Sequence, residues 1–277
     1  MYRTAWLIFI YLFIFHFNIE SATSQSELAK QSQSPISTLT ILSLQNDMLF
    51  GVGLEEESLY RLTAGVTFPV NLGNKVDLIN RWFLPLVFQE ANSPGDTNTF
   101  GLSDLNLQAL LTPSEPKWFI WGELKWGLGP SVVIPTNTDD ELGSDKISIG
   151  PMLAFVRRPR ALVYGFVIQN IWSIAGDVDA PDVNKMILQY FFNYNFSNNW
   201  YLTTTNFITA NWEENNDNRW TVPVGGGIGK IIRTKHRHLD LRAQSYWLAE
   251  KPQFGPDWGI QFTVKLLFTK GMANTLQ

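Results

Sequence analysis

Twelve stretches of this chain read as strands, four of them with clear alternation of apolar and polar residues, and the connections between them alternate in kind. In the last stretch, Trp258, Ile260, Phe262, Val264, Leu266 and Phe268 share one parity, while Gly259, Gln261, Thr263 and Lys265 share the other. Successive side chains of an extended strand point to opposite faces, so one face here is apolar and the other small or polar. Tyr60, Leu62, Ala64, Val66 and Phe68 stand in the same way against Arg61, Thr63, Gly65 and Thr67, and Met186, Leu188, Tyr190, Phe192 and Tyr194 against Lys185, Gln189 and Asn193. Strands are expected near 36–50, 60–70, 75–88, 102–112, 117–134, 147–157, 161–173, 183–196, 200–212, 218–231, 237–248 and 257–268.

Every second connection is short: "NLGN", "PSEP", "RRPR", "FSNN" and "RTKHR". The others are mostly longer and acidic, from "GVGLEEES" to "AEKPQFGPD", and hold 17 of the 25 carboxylates, so the two ends of the sheet differ. A sandwich, with its apolar face against a second sheet, gives no reason for that sorting. An all-β, transmembrane antiparallel up-and-down β-barrel of about twelve strands does, with short periplasmic turns and longer acidic extracellular loops. In lipid every backbone N–H and C=O must be paired within the protein, and closing the sheet removes its free edges. Strands of roughly ten residues or more suit a tilted crossing of the hydrocarbon layer. The 11 Trp, 8 Tyr and 19 Phe supply material for aromatic girdles at its two surfaces.

At the N-terminus Arg3 precedes an apolar run from about Ala5 to Phe17, followed by small and polar residues. This is the layout of a cleaved secretory signal peptide, taken as residues 1–24, and it predicts export to a bacterial outer membrane. Residues 25–35 lack periodicity and read as a flexible lead-in, 36–268 as the barrel, and 269–277 as a C-terminal extension. The chain has no cysteine, which excludes disulfides and a lipidated N-terminal Cys. A net charge of −4 gives no polycationic surface for nucleic acid.

The final strand resembles the C-terminal assembly signature of outer-membrane barrels, here Asp257, Gly259, Phe262, Val264 and Phe268, which implies handling by the barrel-assembly machinery. Nine further residues follow Phe268 where such chains usually stop. Together, "PTNTDDELGSDKISIGP", "IQNIWSIAGDVDAPDVNKMILQYFFNYNF", "RWTVPVGGGIGK" and "GPDWGIQFTVKLLF" resemble the bacterial family labelled meta-pathway phenol-degradation proteins or outer-membrane transporters, some under the name neuromedin U. The resemblance implies a barrel that moves small, including aromatic, molecules, and it offers no catalytic residues. "GELKWGLGP" is longer than the family's "WGxGP" turn, which puts the register of the fifth strand in question.

Chemistry is sparse. Of three histidines, His16 lies in the signal peptide, while His236 and His238 fall in the basic turn "RTKHRHLD" and read as solvated. No triad or metal set forms around them. "GGGIGK" lacks the first Gly and the Ser/Thr of a phosphate loop, and its glycines read as places where a strand bends or packs closely. The acidic clusters at Asp139–Asp145 and Asp177–Asp182 do not follow a calcium-loop pattern and read as solvated loops. The chain is therefore expected not to be an enzyme and to need no cofactor or metal.

Asp77, Arg81, Asp104, Gln108, Glu123, Lys125, Lys185, Gln189, Asp240, Arg242, Gln244 and Lys265 all oppose apolar neighbours. Arg or Lys on the lipid face at mid-depth costs roughly 2 to 4 kcal/mol, so these residues are expected to line the lumen. The function expected is a monomeric, passive outer-membrane channel for small solutes, with membrane lipid around it. A plugged barrel with a structural or surface role, and a secreted carbohydrate-binding sandwich, stand as alternatives.

Overall fold

The computed structural model describes residues 25–91, 97–119, 122–234 and 238–268. The expected signal peptide and the extension after Phe268 lie outside them, as does His236. A helix, α1 (Gln25–Ser32), comes first. Fourteen strands follow: β1 (Thr40–Val52), β2 (Glu57–Asn71), β3 (Val76–Gln89), β4 (Thr99–Leu102), β5 (Leu105–Pro113), β6 (Lys117–Phe119), β7 (Gly122–Ile134), β8 (Lys146–Arg158), β9 (Leu162–Gly176), β10 (Asn184–Asn195), β11 (Trp200–Asn211), β12 (Trp220–Arg233), β13 (His238–Glu250) and β14 (Trp258–Phe268).

Each long strand pairs antiparallel with its neighbours in sequence, and β1 pairs with β14 from Thr40↔Phe268 to Phe50↔Trp258. The sheet is thus a closed barrel of twelve wall positions, which removes the sandwich alternative. Two positions depart from the expected parse. The fourth is split at Ser103 and Asp104 into β4 and β5. The expected turn "PSEP" is not the hairpin: β6 pairs Phe119↔Gly122 with the start of β7, so the chain reverses after Phe119. Pro113 and Pro116 carry no N–H for the ladder, which explains why the strand breaks there and then resumes.

The alternation reads out as expected, with the environments of the faces inverted relative to a water-soluble protein. Along β14, Trp258, Phe262 and Val264 are 44%, 48% and 43% exposed, whereas Gln261 and Thr263 are each 3% exposed. Apolar side chains cover the outside and polar ones turn in. Aromatic pairs mark both ends of the wall: Phe50 with Trp258, Tyr60 with Phe88 and Trp212 with Trp220 at the long-loop end, Tyr194 with Phe196 and Tyr164 with Phe192 toward the short-turn end.

Residues 25–35 are not a loose leader. Leu28, Ala29, Ser32, Gln33, Ser34, Ile36, Ser37 and Leu39 are all buried, because α1 and the coil after it lie inside the short-turn end of the barrel. The wall therefore begins at Thr40, and Ile36 belongs to this internal segment.

Candidate functional site: a lumen with a floor and a crossbridge

The floor is built from chain too short and too polar to show an amphipathic stripe. Ile36 packs among Ile79, Leu110, Met152, Ala154, Val156, Val163, Val167 and Phe191, a patch drawn from β3, β5, β8, β9 and β10. Leu28 meets Leu39, Ile41 and Leu267, and Ala29 meets Tyr201 and Ile231. Buried backbone in such a segment must find partners. The Ser34 and Ser37 hydroxyls accept from the N–H groups of Ile36 and Leu39, and the Ser32 hydroxyl donates to the Ala29 carbonyl.

Three polar clamps hold the floor to the wall. Gln33 and Asn195 exchange amide hydrogen bonds of 2.8 and 3.0 Å. Lys265 Nζ donates to the Ser32 carbonyl at 2.6 Å and lies 3.8 Å from Asp240, which also accepts from the Tyr201 hydroxyl. Arg158 bridges Glu27 on α1, at 3.0 Å, and Glu123 on β7. A cavity of about 350 Å³ opens beside this last clamp, lined by Glu27, Lys30, Trp118, Glu123, Arg158 and Arg160.

Above the floor the lumen is crossed at mid-height. Arg81 on β3 donates from Nη1 to Gln108 Oε1 at 2.9 Å and from Nη2 to Gln189 Oε1 at 3.1 Å, on the far wall. Gln108 Nε2 continues to Gln169 on β9 at 3.1 Å. The guanidinium also stands 5.2 Å from the centroid of the Phe83 ring. It is thus a buried cation satisfied by neutral amides, with no carboxylate in ion-pair range among the described residues, and its charge faces the lumen. On the opposite side Asp47 accepts from Gln45, Gln261 and Tyr246, while Arg242 donates to Gln261 and Thr263.

The twelve expected lumen residues divide between these layers. Arg81, Gln108 and Gln189 form the crossbridge, and Lys185 shares the inward parity of Gln189 along β10, with Ile187 between them. Asp240, Lys265 and Glu123 anchor the floor, with Arg242 above them. Asp77 accepts from Asn71 at the short-turn end, and Lys125 is buried on β7. Gln244 reaches β11 rather than the open lumen. Asp104 is at the break between β4 and β5, where it accepts from the Ser144 N–H and hydroxyl, each at 2.8 Å, and pins the 135–145 loop. That loop is accordingly less free than its acidity suggested. His238 also differs from the solvated reading: it opens β13 and is buried. Asp47 and Gln169 were not among the expected lining residues, although their parity along β1 and β9 marks the inner face.

No family model matches the chain, and no curated protein matches its sequence. Solved structures do. The COG4313 outer membrane channel from Pseudomonas putida F1 is similar over 83% of this chain and 95% of that one, with a TM-score of 0.63 and 15% identity. Outer membrane phospholipase A from Escherichia coli is similar over 90% and 99%, at a TM-score of 0.43 and 15% identity. The outer membrane protein opdK from Pseudomonas aeruginosa is similar over 83% and 97%, at 0.36 and 10%. The phospholipase corrects the reading of the chain as not an enzyme. A fold does not by itself choose between pore and catalyst. The chain has the fold of an outer-membrane β-barrel.

Proposed function

We propose that the protein is an outer-membrane channel that passes small solutes, aromatic compounds among them, down their gradients through the barrel lumen. The observation that carries this reading is the crossbridge: a fixed guanidinium placed across a polar lumen is a selectivity element, since charged rings at a constriction set which ions and solutes enter. The floor held by Gln33, Lys265 and Arg158 is the second barrier, and its release opens the path to the periplasm. Export by the N-terminal signal, insertion by the barrel-assembly machinery and action as a monomer belong to the same reading, as does the finer assignment to phenol-type substrates.

Single-channel recording of the full chain in a planar bilayer, with vesicle swelling in aromatic acids, sugars and salts, tests it. Step currents with a preference for anions are expected, and Arg81→Ala should enlarge the conductance and reduce that preference. The packed floor favours one rival, a plugged barrel with a structural or surface role. Absence of both current and swelling, in the full chain and in Arg81→Ala, would establish that rival instead.

A further inference from the structure

The wall is not uniformly laddered. β11 and β12 pair from Trp200↔Lys230 to Thr203↔Gly227 and again at Thr209↔Thr221 and Ala210↔Trp220, but residues 204–208 and 222–226 between them form no ladder pairs. The β8–β9 ladder skips two residues on each strand beside Pro151, and along β7 the Leu111↔Leu128 pair stands alone between Gln108↔Ser131 and Lys117↔Leu124, with the longer gap toward the short-turn end. Five residues on each strand, in the middle of the span, is a different feature. The outer neighbours stay paired, since β10 pairs with β11 from Asn195↔Tyr201 to Lys185↔Asn211, and β12 pairs with β13 from Val222↔Glu250 to Arg233↔His238, with one bulge between Val222 and Pro223.

The sequence of β12 produces the seam. Pro223 offers no N–H. A Cβ on Gly225 would stand 2.1 Å from the Ser245 carbonyl oxygen, and one on Gly227 would stand 2.0 Å from that of Ala243, so β12 leans onto β13 where only glycine fits. Side chains then replace the missing ladder. The Tyr190 hydroxyl donates to the Pro223 carbonyl at 2.8 Å, and Asn206 Nδ2 reaches the Gly225 carbonyl at 3.5 Å. From inside, Gln244 Nε2 donates to the Thr205 carbonyl at 2.8 Å and to Asn206 Oδ1 at 3.1 Å. Rotation of three side chains removes what seals this stretch between the two flanking runs of ladder pairs.

The seam lies level with the constriction. Phe207 pairs with Gln189, the residue that Arg81 reaches across the lumen, so Phe207 faces the same interior. It is 39% exposed there. The outer side borders Val224, Leu202 and Ile228, all exposed on the apolar surface. A solute stopped at Arg81 therefore meets an aromatic ring and a side-chain-sealed slit that leads to hydrocarbon.

We propose that the β11–β12 seam is a lateral portal through which small uncharged apolar molecules, aromatic rings among them, pass from the lumen into the bilayer. The proposal rests on the channel reading for entry and adds a route and a substrate class. A charged solute cannot follow, because moving an ion into hydrocarbon costs several kcal/mol.

The chain has no cysteine, so one engineered disulfide tests the seam. A Cβ on Gly226 would stand 3.8 Å from the Thr204 Cβ, inside the disulfide range, and 2.9 Å from the Thr203 carbonyl oxygen, so a small backbone shift admits it; both positions face outward, away from the lumen. The full-length Thr204→Cys/Gly226→Cys variant is placed in vesicles with lipopolysaccharide in the outer leaflet. Arrival of N-phenyl-1-naphthylamine in the bilayer is followed by fluorescence, beside single-channel conductance. Oxidation should slow probe arrival at least tenfold and leave conductance unchanged, and reductant should restore the rate. Gln244→Leu should speed arrival severalfold. Equal rates in the oxidised and reduced protein, or no change in Gln244→Leu, would overturn the portal. Loss of conductance from the reduced protein would sink the channel reading separately, and the redox contrast in probe arrival would still decide the portal.

Discussion

The barrel has two seams that invite comparison: the one where the chain ends meet, β1 with β14, and the one between β11 and β12, which are adjacent in sequence. The first is laddered without interruption over eleven pairs, from Thr40↔Phe268 to Phe50↔Trp258. The second is unpaired over residues 204–208 and 222–226. Chain connectivity therefore does not locate the weak line. Composition does: β14 alternates Trp258, Ile260, Phe262, Val264 and Leu266 with partners that pair fully, whereas β12 carries Pro223 and three consecutive glycines. Proline removes a donor and glycine removes the side chains that would fill the wall.

The comparison breaks most visibly under charge. Val264→Arg, on the outer face of the continuous seam, should cost roughly 2 to 4 kcal/mol in chemical unfolding from lipid vesicles. Val224→Arg, also outward but beside the unladdered stretch, should cost less, because the Pro223 and Gly225 carbonyls lie next to it; equal losses would remove the distinction. Gln244→Leu strips the Thr205 carbonyl and Asn206 of their inner partner and should cost about 1 to 3 kcal/mol, the penalty of leaving buried polar groups unmet. Tyr190→Phe removes the outer bond to Pro223 and should cost about 0.5 to 1.5 kcal/mol by the same measurement. If Tyr190→Phe proves neutral, the bond to Pro223 contributes nothing and Gln244 with Asn206 closes the slit.

Much of the wall could be read from the sequence because its physics is local and periodic. In β2, β10 and β14 each residue has one of two surroundings, lipid or interior, and parity alone assigns them. The floor escaped for the opposite reason. Gln33, Ser34 and Ser37 are polar yet buried, since Asn195 and nearby backbone satisfy them, and α1 buries Leu28, Ala29 and Ser32 in too short a helix for a stripe to form. Asp104 shares the polar parity of lumen residues, but a strand break that depends on the 135–145 loop sends it to Ser144. The crossbridge was half visible: Arg81, Gln108 and Gln189 were assigned to the interior, while their meeting across the lumen depends on closure. The glycines of "GGGIGK" read as close packing, which the approach of β13 to Gly225 and Gly227 matches; Pro223 and the glycines mark β12 as the weak strand, while which of its two neighbours loses the ladder depends on the side it leans to.

Residue-resolved hydrogen exchange of the barrel in lipid nanodiscs tests the unequal seams most directly. The account predicts that the amides within 204–208 and 222–226 that point into the seam, every second one along each strand, exchange at least tenfold faster than those of 41–50 and 259–267. Equal protection along both seams would contradict it.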